Sequence, residues 1–121
     1  MSTPIVRPWG TEDLFVENKN VTVKLLNVKQ GEQLSLQYHH DREEFWKVVS
    51  GSPCLILGEE TVYPKTGDEF TIPALTKHRI SAPTDSVVIL EISHGEFKED
   101  DIVRLEDKYN RIEKNEKTSN D

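Results

Sequence analysis

GEQLSLQYHHDREEFWKVVSG, Gly31 to Gly51, places two adjacent histidines and two adjacent glutamates in a polar hinge between two apolar, strand-like runs. Neighbouring side chains on a β-strand point to opposite faces, so each doubled pair can send only one member into a buried site. On the first run Gln33, Ser35, Gln37 and His39 share a face, and Leu34, Leu36 and Tyr38 form the other. A polar face of that kind suits a strand lining a wet cavity. On the second run Lys47 wants water, which turns Phe45, Lys47 and Val49 outward and Glu44, Trp46 and Val48 inward. His39 and Glu44 are therefore the expected cavity residues, with His40 and Glu43 left to the hinge.

Working outward from this stretch, Val21 to Val28, Leu34 to His39, Phe45 to Ser50, Cys54 to Gly58, Glu69 to Ile72, His78 to Ser81 and Val87 to Ser93 all read as short strands. Turn signals separate them, among them Ser50-Gly51-Ser52-Pro53, Lys65-Thr66-Gly67-Asp68 and Ala82-Pro83-Thr84-Asp85. Short strands punctuated by Gly and Pro every 8 to 12 residues or so predict an all-β sandwich or barrel. No amphipathic helix is visible before Gly95. After it, Ile102, Leu105, Tyr109 and Ile112 recur at spacings of 3, 4 and 3, which predicts a short helical C-terminal segment. Residues 1–111 are expected to form one domain with its barrel core at about 20–95, and 112–121, with little to bury, a disordered tail.

The chain has 121 residues, a formal net charge of −7 and one cysteine, Cys54. Such a charge opposes nonspecific attraction to nucleic acid or an anionic membrane, and it means that an anionic substrate must be held by local cations. A lone cysteine excludes an internal disulfide, for which a reducing cytoplasmic compartment is the simplest home. No apolar run approaches the ~18 residues of a membrane span, and the N-terminus lacks signal-peptide character.

A further histidine, His78, opens a strand after the turn Pro73 to Lys77. With Gln37, His39 and Glu44 it makes a set of two imidazoles and two oxygen donors, suited to one Zn²⁺, Fe²⁺, Mn²⁺ or Ni²⁺ ion.

The spacing of Gly31, Gln37, His39, Glu44 and Gly51 resembles the first cupin motif, with glutamine in place of its first histidine. Gly67, Pro73 and His78 resemble the second, although Leu75 stands where a glycine is usual and Ala82 where an asparagine is usual. Adding RPWG (Arg7 to Gly10), IPALTKH (Ile72 to His78) and EDDIVRLEDKYNR (Glu99 to Arg111), the chain resembles the cupin domain of type II mannose-6-phosphate isomerases from about Arg7 to Arg111. Asp41, Glu43 and Phe45 depart from the family's usual HHHRAEHW, and Asn110 replaces a usual glycine.

The resemblance implies a cupin jelly-roll, a double-stranded β-barrel, and a metal-dependent isomerase converting mannose-6-phosphate to fructose-6-phosphate through a cis-enediol. Zinc suffices for that chemistry, which needs no redox change. Glu91, inside the apolar run VVILEIS, is a candidate general base, and a metal-bound hydroxide is another. Arg104 is implied as the substrate-side cation, with Lys24 and Arg79 as further candidates for holding a sugar phosphate. In many relatives the domain follows a mannose-1-phosphate guanylyltransferase domain; nucleotidyl transfer is not expected of these residues. Two rival expectations stand beside the isomerase: a metal-binding cupin acting on another sugar or small acid, dioxygenases included, and a non-enzymatic sugar-binding module. A homodimer through the Leu34, Leu36 and Tyr38 face is also expected.

Overall fold

Alternation of buried and more open positions runs through the long strands, and two antiparallel sheets close around one interior. The computed structural model describes residues 4–17, 21–95, 98, 100–109 and 111. Eleven strands follow in chain order: β1 (Ile5–Arg7), β2 (Gly10–Val16), β3 (Val21–Val28), β4 (Leu36–Tyr38), β5 (Arg42–Ser50), β6 (Cys54–Leu57), β7 (Glu60–Val62), β8 (Glu69–Ile72), β9 (His78–Ser81), β10 (Val87–Gly95) and β11 (Val103–Glu106). One sheet runs β1-β2-β3-β10-β5-β8 and the other β11-β4-β9-β6-β7. This is the cupin barrel. Among the described residues no helix is long and apolar enough to cross a membrane.

The inward residues of the larger sheet divide by height along the barrel. At one end Leu26, Val28, Val48, Val87 and Ile89 meet Leu55 and Ile80 of the smaller sheet in a fully apolar core. Toward the other end the same inward positions become Thr22 and Lys24 on β3, Ser93 and Glu91 on β10, and Arg42 and Glu44 on β5, all buried. The register aligns them in rows, Lys24–Glu91–Trp46 and Thr22–Ser93–Glu44. A polar chamber thus sits directly on an apolar floor, and Trp46, 1% exposed, forms the boundary.

The seven strands read from the sequence are all present, β5 being longer than expected and β4 shorter. β1, β2, β7 and β11 are additional to the seven expected strands. Replacing the expected C-terminal helix, Val103–Glu106 is a strand paired with β4. The free edge of β4 offers unpaired N–H and C=O groups, and satisfying them outweighs a weak helical spacing. Ile112 and Asn110, like the expected disordered tail at 112–121, lie outside the described residues.

Leu34 also differs from expectation. It belongs to the buried core rather than to a face shared with Leu36 and Tyr38. The cause is an irregular stretch before β4: Gln33 bridges Ser81 and Leu34 N–H donates to the Ile80 carbonyl at 2.9 Å, but regular pairing resumes only at Leu36. The alternation slips there, which leaves the expected dimer face without one of its three side chains.

Two backbone positions fix the turns near the chamber. Gly10 opens β2 with its Cα so close to β3 that a Cβ would lie 1.8 Å from the Asn27 carbonyl oxygen, so only glycine fits. Leu75 has φ of 69°, a left-handed conformation that costs a non-glycine residue about 1–2 kcal/mol. Its N–H donates to the His39 carbonyl at 2.8 Å, and its side chain is 62% exposed. Leu75→Gly therefore relieves strain without opening a cavity. After the added chain entropy of glycine is subtracted, it should stabilise the fold by about 0.5–1 kcal/mol, read as a higher urea midpoint.

Candidate metal centre

β4, β5 and β9 each deliver one part of the site. Gln37 on β4 lies opposite His78 on β9, and His39 follows directly after β4. Glu44 comes from β5 in the facing sheet. Gln37, His39, Glu44 and His78 all line one small cavity, together with Trp9, Glu12, Lys24, Leu26, Leu34, Arg42, Trp46, Glu91 and Arg111. His39, Glu44 and His78 are 3%, 2% and 4% exposed, and each offers a ligand atom within 4.8 Å of the others'. Glu43 is exposed, and so is His40, whose ring meets Asp101 and Tyr38.

Hydrogen bonding fixes which nitrogens face inward. His78 Nδ1 donates to the Thr76 carbonyl at 2.9 Å, and His39 Nδ1 to the Asp101 carbonyl at 2.6 Å. A carbonyl oxygen can only accept, so each Nδ1 is tied to a carbonyl and each Nε2 is turned toward the cavity. Arg42 Nη2 packs against the same His39 ring, 2.8 Å from Nδ1 and 3.2 Å from Nε2. His39 Nε2 is 3.3 Å from one Glu44 carboxylate oxygen and His78 Nε2 is 3.5 Å from the other. Two imidazoles and a carboxylate converging in this way are a donor set that fits a borderline divalent metal. Arg42 Nε, 3.7 Å from Glu44, places a positive charge beside the set.

Electrostatics sorts the two buried carboxyls. Burial by itself would raise Glu44, but His78, His39 and Arg42 outweigh it and hold the carboxyl well below its usual range. Glu91 is pushed well above, first by burial and then by the Glu44 charge beside it. Trp46 Nε1 donates to both, at 3.1 Å to Glu44 and 3.3 Å to Glu91. Burial lowers His78, so its imidazole stays neutral and its Nε2 lone pair available. Two carboxyls in one chamber, pushed in opposite directions by their surroundings, are suited to acid–base work.

The raised Glu91 has a signed consequence for stability. A carboxyl whose folded value lies above its unfolded value stabilises fully below the unfolded value, and that contribution drains away as pH rises through the folded value. Glutamine has no charge to bury at any pH. Metal-free wild type should therefore lose stability relative to Glu91→Gln as pH rises above the ordinary carboxylate range, measured by urea unfolding at each pH. Parallel pH profiles for the two proteins would count against a buried, protonated Glu91.

The expected substrate cations separate. Lys24 lines the cavity but is ion-paired to Glu12 at 3.2 Å, and Arg7 holds the other oxygen of Glu12 at 2.9 Å. Arg104 sits directly beside Gln37 in the β11–β4 pair, and paired residues share a face, so it flanks the inner side of the smaller sheet. Arg79 is placed elsewhere. Because His78 and Ile80 point inward, Arg79 points outward, donating to the Leu34 and Glu106 carbonyls at 3.0 and 3.2 Å and pairing with the Glu106 carboxylate. Three cavity residues were missed. Arg42 is two positions before Glu44, so extending the same inward alternation backward would have found it. Glu12 and Arg111 carried no comparable signal; Arg111 reaches the cavity from a turn in which Asp107 accepts its backbone N–H at 2.7 Å and its Nε at 2.8 Å.

Comparison with known proteins shows the family and the fold. Residues 1–107 match the family described as Mannose-6-phosphate isomerase C-terminal. The xanthan biosynthesis protein XanB of Xanthomonas campestris pv. campestris is 39% identical over 88% of this chain and 23% of its own length. The mannose-1-phosphate guanylyltransferase ManC of Salmonella typhimurium is 34% identical over 93% of this chain and 24% of its own length. The chain thus spans about a quarter of the length of these curated relatives. Among solved structures, the capsular polysaccharide assembling protein CapF of Staphylococcus aureus superposes with a TM-score of 0.74 at 21% identity, covering 86% of this chain and 34% of that one, which is a likeness of fold.

Proposed function

The chain belongs to the mannose-6-phosphate isomerase C-terminal family, and from that premise we propose that it is a metal-dependent aldose–ketose isomerase interconverting mannose-6-phosphate and fructose-6-phosphate. The observation that carries this reading is the convergence of His39 Nε2, Glu44 and His78 Nε2 in a chamber that also holds a second carboxyl, Glu91. His39, Glu44 and His78 would hold the ion, with the Gln37 carboxamide beside them. A bound Zn²⁺ would supply Lewis-acid polarisation of the sugar oxygens on which charge develops.

The remaining work falls to the chain's own groups. Moving a proton between adjacent carbons through a cis-enediol needs one group that exchanges its proton near neutral pH, and Glu91 has the raised affinity for that role. Trp46 Nε1–H, bonded to Glu44 and Glu91 together, orients both carboxyls. Arg42, Arg104 and Arg111 supply the positive charge that a sugar phosphate needs against a net charge of −7. Lys24, fixed by Glu12, adds a further cation at the level of Glu91. The apolar floor of Leu26, Leu34 and Trp46 limits the water that could compete for the enediol.

The test is direct. Protein reconstituted with zinc is incubated with mannose-6-phosphate and assayed for fructose-6-phosphate. Product formation supports the isomerase; metal-replete protein with no turnover overturns it, and oxygen uptake on a small acid would identify an oxygenase instead.

A further inference from the structure

The two histidines of the candidate centre are oriented in different ways. His78 is locked by its own turn, through a carbonyl two residues away. His39 is locked by Asp101, 62 residues away in sequence. Asp101, 8% exposed, grips the hinge at three points: its carbonyl accepts His39 Nδ1–H at 2.6 Å, and its carboxylate accepts the backbone N–H groups of His40 at 2.8 Å and Asp41 at 2.9 Å. The His40 ring adds a longer contact at 3.3 Å to the same carboxylate. The segment that Asp101 begins stays on this side of the barrel. β11 pairs with β4, Arg104 lies beside Gln37, Lys108 donates to the Gly31 carbonyl at 2.9 Å, and Tyr109 hydroxyl bonds Glu32.

We propose that Asp101 is a positioning residue for the metal centre, holding His39 in the tautomer and orientation that direct its Nε2 at Glu44. The proposal rests on the metal reading above. Its physical basis is that a ligand imidazole needs its second nitrogen anchored, and the anchor here is a backbone carbonyl whose place is set by its own residue's side chain. The carboxylate cannot release the His40 and Asp41 amides without freeing the carbonyl that holds His39. Metal binding and docking of residues 101–109 onto β4 are consequently one linked event, and each favours the other.

The experiment measures zinc affinity by competition with a chromophoric chelator, alongside circular dichroism, for wild type, Asp101→Ala and Asp101→Asn. Asp101→Ala should bind zinc about 10–100-fold more weakly while keeping its β-sheet spectrum, the usual cost of losing an outer partner of a metal ligand. Asp101→Asn keeps one acceptor for the hinge amides and should recover most of the affinity. If wild type binds no zinc, the metal reading itself fails. If wild type binds and Asp101→Ala binds equally well, even with a lowered melting temperature, Asp101 is merely structural and the proposal is overturned. Should Asp101→Ala not fold, amide exchange of the wild type decides: zinc should slow exchange at His40, Asp41 and Arg104, and unchanged rates at all three would overturn the proposal.

Discussion

His78→Ala is expected to bind zinc on the order of 100–1,000-fold more weakly than wild type and to form no measurable fructose-6-phosphate. The magnitude follows from structural zinc sites, whose four ligands together yield about 10–16 kcal/mol, or roughly 3–4 kcal/mol each. His78 is chosen over His39 because its Nδ1 anchor is local. Its Nδ1 anchor lies in its own turn and the ring touches the edge of Trp46, so truncation leaves the hinge and the β11 docking in place. The fold should survive with a loss of about 2 kcal/mol or less from the vacated volume, offset in part because Glu44 and His39 lose a competing acceptor. Isothermal titration with zinc and the isomerase assay read the two effects separately. Wild-type zinc affinity in His78→Ala would remove the candidate centre, whatever happened to activity.

Trp46→Ala should destabilise the protein by about 3–5 kcal/mol, a large share of the 5–15 kcal/mol typical of a domain. The indole is 1% exposed and belongs to the core, while its Nε1–H is a donor shared by Glu44 and Glu91. Truncation opens a cavity below and removes a donor above. Trp46→Phe separates the two effects, because it retains most of the packing and loses only the N–H. Its expected cost is about 1–3 kcal/mol, the penalty of leaving buried acceptors without their donor. Urea midpoints at one pH measure both. A phenylalanine variant as stable as wild type would show that the bridge to the two carboxyls contributes nothing.

Strand alternation makes the inner face of β5 legible from the order of residues. Glu44, Trp46 and Val48 point inward and Glu43 outward as the solvent preference of Lys47 requires, because a nine-residue strand paired on both sides keeps a strict period of two. The same rule misreads Leu34. A strand start held only by an isolated bridge is free to slip, and sequence gives no warning of where regular pairing begins. The helix expected from Ile102, Leu105 and Tyr109 fails for a related reason. Local spacing competes with the open edge of β4, a partner more than sixty residues away, and the edge wins.

For the site, the sequence by itself determined the residue types and their pairing into two motifs: Gln37, His39 and Glu44 from one hairpin and His78 from a second strand. Those were legible because motif spacing is local and a strand converts spacing into direction. Only the tertiary structure decided which cations face the chamber, sending Arg79 outward and bringing in Arg42 and Arg111. It also decided the opposite directions in which the two carboxyls are pushed and the anchors that orient the two histidines. These depend on burial, on neighbours across the barrel and on a carbonyl 62 residues from the imidazole it holds, and distance through space is the one quantity that a linear order of residues does not contain.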